Sequence, residues 1–259
     1  MKAGSIMLGS GAGLRQIRAR GLSGKGFGSG LVSAGHGQNG QRLLIGRKAH
    51  EDSMATEDRP QINLITPPAF DLETDPARLA AVLDAVEIAC LRISLATRDE
   101  MELIRAADAV RELAHARDVA VVIESHLLLV ERLGLDGVHL TDGARSLRKA
   151  RKDLGADAII GAHCGVTRHE GISAGEAGAD YVAFGPVGET GLGTGQRAEF
   201  DLFDWWSEMI EVPVVAEGAL TRALVEQFGP VTDHFAFGPE IWGAEDPVAA
   251  LKDLIAPLG

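Results

Sequence analysis

Cysteine is scarce in this chain: Cys90 and Cys164 are the two in 259 residues, and no CxxC spacing occurs. That excludes a disulfide scaffold and a thiolate zinc site, and it suits a reducing, cytoplasmic setting. Long apolar runs are also missing. Each breaks far short of the roughly 20 residues that a membrane span needs, so no membrane is expected as a partner. Acidic side chains are absent from the first fifty positions, where eight of the 25 basic residues lie. The remaining residues, 51–259, therefore hold 17 basic groups against 37 acidic ones, a charge of −20. A body that acidic repels a phosphate backbone, which argues against nucleic acid as a partner.

The first fifty residues are rich in Gly, Ser and Arg and carry no sustained apolar period. Such a segment buries too little surface to offset its ordering entropy, so residues 1–58 are expected to be a disordered extension. "GSGAG" (Gly9 to Gly13) resembles a nucleotide-binding loop but no strand precedes it. A start assigned upstream of Met54, a targeting presequence and a functional tail all fit this composition, the first best.

From Gln61 onward two patterns alternate. "QINLITP", "IACLRISL", "VAVVIES", "GVHL", "AIIGAHC", "YVAFGPV", "PVVAEG" and "HFAFGP" are short apolar runs, as parallel strands covered on both faces should be. Between them lie segments with apolar spacings of three and four, the period of a helix packed on a sheet. Asp75-Pro76 and Asp246-Pro247 read as an N-cap followed by proline. Gly134, Gly155, Gly178 and Gly229 read as left-handed helix stops. Eight βα units with no linker favour a single closed (β/α)8 TIM barrel over residues 59–259, with a doubly wound open sheet as the competitor.

In such a barrel the site lies at the C-terminal ends of the strands, and phosphate commonly binds after strands seven and eight. Gly185, Gly218 and Gly238 end strands six, seven and eight, where bare backbone could cradle a phosphate or simply turn tightly. Alternation in "ACLRISL" sends Leu91, Ile93 and Leu95 outward and Cys90, Arg92 and Ser94 into the lumen. An inward arginine is costly unless paired, either by a phosphorylated ligand or by a rim carboxylate. Glu124, Asp142, Glu189 and Glu217 supply carboxylates at that rim, hard ligands suited to Mg2+ shared with a substrate. Asp142 reads equally as a helix N-cap. His139 reads as a hydrogen-bonded core residue, and His163 as an acid–base group. His126, His169 and His234 read as helix-start or surface residues, and Trp205 and Trp206 as anchors of an outer helix.

"LGLDGVHL", "LGADAIIGAHC", "EAGADYVAFGPVGET" and "VPVVAEGAL", in this order and spacing, resemble the thiamine phosphate synthase family over residues 61–258. The resemblance implies a transferase that joins a hydroxymethylpyrimidine diphosphate to a thiazole phosphate and releases pyrophosphate. It implies small phosphorylated heterocyclic substrates and Mg2+, and leaves a homo-oligomer open.

The chain departs from the family's pattern at the diphosphate and metal side. Where the family carries Gln, Arg and Lys, strand two has Cys90, Arg92 and Ser94. Glu124-Ser125 replace Asn-Asp, and Ala144 stands at the second metal Asp with Asp142 two residues away. His163 replaces a Ser, and Gly193 a Lys in a loop that keeps Thr190. Gly218-Ala219 and Gly238-Pro239 stand at the thiazole-phosphate positions.

The resemblance thus implies Arg92 and His163 as catalytic groups. It implies Cys90, Ser94, Glu124, Thr190, Gly218 and Gly238 against substrate, and Glu124 with Asp142 on the metal. A tautomerase sister activity is the alternative; its His would fall at Gly165, two residues past His163. A non-catalytic barrel binding a thiazole or thiamine phosphate is the third reading.

Overall fold

The computed structural model describes residues 59–191 and 195–259. The readings of "GSGAG", of Met54 and of Gly193 lie outside the described residues. Eight parallel strands close into one barrel in sequence order: β1 (Gln61–Ile65), β2 (Cys90–Ile93), β3 (Ala120–Glu124), β4 (Gly137–Leu140), β5 (Ile159–His163), β6 (Tyr181–Phe184), β7 (Val214–Glu217) and β8 (His234–Phe237). β1 pairs with both β2 and β8, which excludes the open sheet. Helices follow the strands: α1 (Asp75–Ala85), α2 (Glu100–His115), α3 (Leu127–Leu133), α4 (Leu147–Leu154), α5 (Arg168–Glu176), α6 (Phe200–Met209) and α7 (Arg222–Phe228). β8 is followed by a short α8 (Pro239–Trp242) and then α9 (Pro247–Ile255).

Strand alternation divides the apolar residues into two cores. Leu64, Leu91, Ile123, Val138, Ile160, Phe184, Ala216 and Phe237 point outward and pack with the helices. Phe184 meets Phe203 and Trp206 edge to face, while Trp205 lies half-buried beside Trp206 under the Arg168 guanidinium. Cys90, Val122, Ile159, Tyr181, Ala183, Val215 and Ala236 form the smaller core inside the barrel. The floor of the lumen is thus packed.

One device recurs at the bottom of the barrel. Asp136, Asp180 and Asp233 stand just before β4, β6 and β8. Each donates its N–H to the preceding strand and accepts with its carboxylate from that strand's N–H: Val121 at 2.7 Å, Ile160 at 2.8 Å and Val214 at 2.9 Å. This reciprocal pair pins strands two by two, fixing the register that places lumen residues at one height.

Three local expectations need revision. Asp246 caps α9 through Val248 and Ala249 as expected. Asp75, however, is itself the first residue of α1, and its carboxylate instead accepts from the Asp71 N–H and from Arg78. Gly134 is a left-handed cap and Gly155 and Gly178 have positive φ, whereas Gly229, at φ −50°, carries the chain into a 3-10 turn. His234 is not at the surface. It opens β8 with an inward side chain at the barrel floor, and burial pushes its pKa down to about 4.

Gly161 on β5 is required by the inner core. A Cβ there would lie 2.0 Å from Cζ of Tyr181, whose ring covers the glycine. Gly161→Ala is expected to destabilise the fold by about 1–3 kcal/mol through overpacking, read as a lower urea midpoint with an unchanged m-value.

Candidate active site

The lumen alternation brings Arg92 of β2, Glu124 of β3, His139 of β4, His163 of β5, Tyr181 of β6 and Glu217 of β7 into one network. Arg92 is 8% exposed, and its guanidinium is divided among three partners. Nη2 donates to Glu217 Oε2 at 2.7 Å, Nη1 donates to His139 Nε2 at 2.8 Å, and Nε lies 3.5 Å from Glu124 Oε1. The other oxygen of Glu217 accepts from His163 Nδ1 at 3.0 Å. His139 Nδ1 is 2.9 Å from the Tyr181 hydroxyl.

These contacts fix the protonation states. Guanidinium N–H groups only donate, so Nε2 of His139 accepts and its proton sits on Nδ1, donated to Tyr181. Burial and the adjacent Arg92 hold His139 well below the ordinary histidine range, so it stays neutral. Burial alone would raise Glu217, but Arg92 and His163 outweigh it, and the carboxyl is held well below the usual carboxylate range. The hydrogen bond to Glu217 raises His163 in spite of its partial burial. Nδ1 of His163 is therefore tied to the carboxylate, and Nε2 is the ring atom left for chemistry at the mouth. His163 lines a pocket of about 360 Å³ with Thr141, Asp142, His169, Glu170 and Ser173.

The other side of the mouth is backbone. Gly218 has φ +87°, and a Cβ on it would meet Pro186 at 2.9 Å, so only glycine fits there. Ala219 (φ +52°) and Ser125 (φ +57°) hold left-handed conformations without that freedom, a local strain at two mouth positions. Of the three glycines read as a cradle, Gly185 has its N–H taken by Gly165 O at 3.0 Å. The N–H of Gly238 goes to Glu240 Oε2 at 2.8 Å, and the other carboxylate oxygen accepts from Leu220 N–H at 3.2 Å.

The remaining expected residues separate by height. Cys90 packs one layer below Arg92, and burial pushes its thiol up to about 12. Cys164, beside His163, is buried, and burial likewise pushes its thiol up to about 12. Ser94 lies just past β2, its N–H donating to Thr66 Oγ1 at 3.0 Å. Asp142 is exposed and accepts from Ser146 Oγ at 2.7 Å. Ser146, not Asp142, occupies the N-cap of α4. Thr190 is exposed beside Glu189, whose carboxylate lies 3.5 Å from Arg197.

Sequence reasoning placed Glu217 among the rim carboxylates suited to Mg2+ and not as the partner of Arg92, kept His139 as a core residue, and missed Tyr181 and Glu240. Tyr181 was accessible from alternation in "YVAF", since Val182 and Phe184 face the helices. Nothing local to the sequence marks Glu240.

The fold and the site define a (β/α)8 barrel whose mouth combines a buried cation, a carboxylate–histidine pair and glycine-bearing strand ends. A family model described as thiamine monophosphate synthase matches residues 62–229. A thiamine-phosphate synthase of Rhodospirillum centenum is 40% identical over 198 residues, which are 74% of this chain and 95% of that relative. One from Erythrobacter litoralis is 34% identical over 204 residues, 75% of this chain and 93% of the relative. The solved thiamine phosphate pyrophosphorylase of Pyrococcus furiosus has the same fold, with a TM-score of 0.66 at 21% identity over 76% of this chain and 95% of that one. The chain belongs to the thiamine monophosphate synthase family.

Two outcomes test the network. Glu217→Gln leaves Arg92 short of its nearest counter-charge, with an expected loss of about 3–5 kcal/mol in denaturant unfolding at pH 7. His163 has a raised pKa in the folded state, so its stabilisation is fully present below the unfolded value near 6.5 and fades as pH rises through the folded value. The wild-type melting temperature should therefore gain on acidification through that window relative to His163→Gln, and Glu217→Gln should abolish the difference.

Proposed function

We propose that the chain is a thiamine-phosphate synthase, joining hydroxymethylpyrimidine diphosphate to a thiazole phosphate and releasing pyrophosphate. The observation that carries this reading is 40% identity to a thiamine-phosphate synthase over 74% of this chain and 95% of that relative. In this reaction the bond between the pyrimidine methylene and the diphosphate oxygen breaks, and its electron pair leaves with pyrophosphate. The resulting cation is captured by the thiazole nitrogen. Such chemistry needs alignment of the two rings and stabilisation of the departing charge, with little proton transfer.

Arg92 is the fixed positive charge beneath the mouth, and its ties to Glu217 and His139 hold it there without reorganisation. His163, in its protonated form with Nδ1–H donated to Glu217, is the group placed to donate from Nε2 to the leaving diphosphate. Glu124 ends β3, and Asp142 follows β4 by two residues. One or two carboxylates completed by substrate phosphate oxygens are the hard-ligand set that Mg2+ takes, so these two would hold it. The ion supplies neutralisation of the diphosphate when bound. Among the described residues no group of three or more His, Cys, Asp or Glu is arranged to hold a metal. The barrel at residues 59–259 is the catalytic unit in this reading, and the cytosol, where both free thiols stay reduced, is its compartment. No helix among the described residues is long and apolar enough to cross a membrane.

The test mixes the full chain with both substrates and Mg2+ and follows thiamine phosphate by its oxidised fluorescence. Product that disappears with EDTA, and falls about 100-fold or more in Arg92→Ala, is the expected result for a lost electrostatic contact. Glu124→Ala/Asp142→Ala should weaken the Mg2+ dependence, and an unchanged dependence removes these two as metal ligands. Absence of product with the native fold intact overturns the synthase reading.

A further inference from the structure

His139, Gly161 and Tyr181 stand level on consecutive strands: His139 of β4 is in register with Gly161 of β5, and Gly161 with Tyr181 of β6. The missing side chain on β5 leaves a gap that the Tyr181 ring fills, so that a Cβ on Gly161 would stand 2.0 Å from its Cζ. The phenol thus crosses β5 to reach β4. Its hydroxyl is 2.9 Å from His139 Nδ1, and the two rings are inclined by 22° with centroids 5.7 Å apart. His139 is 1% exposed and Tyr181 8%, so the protein itself has to satisfy the imidazole N–H.

Arg92 depends on the far side of that imidazole. Its Nε has no hydrogen-bond partner among the described residues, so the bonds from Nη2 to Glu217 and from Nη1 to His139 fix the guanidinium. Two anchors define an orientation, whereas one leaves a pivot. The His139 anchor exists in a single tautomer: with the proton on Nε2, two N–H groups would face each other and neither could accept. We propose that Tyr181 is a positioning residue for the transferase reaction: its hydroxyl holds His139 in the Nδ1–H tautomer and thereby aims the Arg92 guanidinium at the departing diphosphate. Tyr181 acts through two intervening side chains, and its place in the chain of contacts is set by the absent side chain of Gly161. The kinetic consequence rests on the synthase reading; the tautomer does not.

Nuclear magnetic resonance of the full chain carrying isotope-labelled histidine reads the tautomer, and calorimetry and turnover read its consequence. The wild type is expected to show neutral His139 with its proton on Nδ1. Tyr181→Phe keeps the ring over Gly161 and removes only the oxygen, so the proton should pass to Nε2 in a measurable share of molecules. Affinity for pyrophosphate with Mg2+ is then expected to fall about tenfold, and kcat for thiamine phosphate by a similar factor, with KM for the thiazole phosphate unchanged. A hydroxyl with a structural role alone would lower the melting temperature and leave tautomer, affinity and kcat as they are, and that result overturns the proposal. The wild-type tautomer decides the matter if Tyr181→Phe does not fold: Nε2–H overturns it and Nδ1–H sustains it. A tautomer shift with weakened pyrophosphate binding, in a chain that makes no thiamine phosphate, sustains the role of Tyr181 and removes the synthase reading instead.

Discussion

A guanidinium buried in the lumen of a barrel sets the terms for everything near it. Arg92 cannot shed its proton, and the strand alternation that places Leu91 and Ile93 against the helices leaves its side chain nowhere else to go. The cost of removing that charge from water is offset only by partners at hydrogen-bonding distance, which Glu217 and His139 provide. Each partner then imposes a state on its own neighbour. Glu217 stays ionised and so draws a proton toward His163; His139 stays neutral and so directs its one N–H at Tyr181. A single charge on β2 orders side chains on four other strands.

The same constraint explains why the mouth is asymmetric. On the β2–β5 side the chemistry is carried by side chains whose protonation is set from below by Arg92. On the β6–β8 side it is carried by backbone, and the groups there are shaped by close approach of strand ends at Gly185 and Gly218. Glu240 reaches into that second half from a short helix, and its carboxylate accepts from N–H groups of both the β7 and the β8 loops. The two halves can therefore vary separately: one through titration, the other through which anion holds the N–H groups.

Much of the fold was legible in the sequence, because every strand is a short apolar run ended by Gly, Pro or a polar residue and every helix has its own period. The lesson of Asp136, Asp180 and Asp233 is that more was available: "LDGV", "ADYV" and "TDHF" place the same residue at the same step before three alternate strands. The site was legible in part. Alternation alone gave the inward direction of Arg92, but its partners sit 47 and 125 residues away on other strands. Only barrel register brings them level. Glu240 was beyond reach for a different reason, since its role depends on the fold of two loops and not on any pattern in one segment.

The 125 residues between Arg92 and Glu217 also bear on how the molecule is made. During synthesis the arginine leaves the ribosome long before its carboxylate, and β1 has one bare edge until β8 arrives to close the ring. A half-barrel of the first four strands would hold Arg92 with only the 3.5 Å approach of Glu124 for counter-charge, and with half its inner apolar wall facing water. Such a half gains little by folding early. Closure by the last strand, held by the Trp242 indole N–H on Ile65 O, therefore ties hydrogen bonding, packing and charge pairing to the same junction.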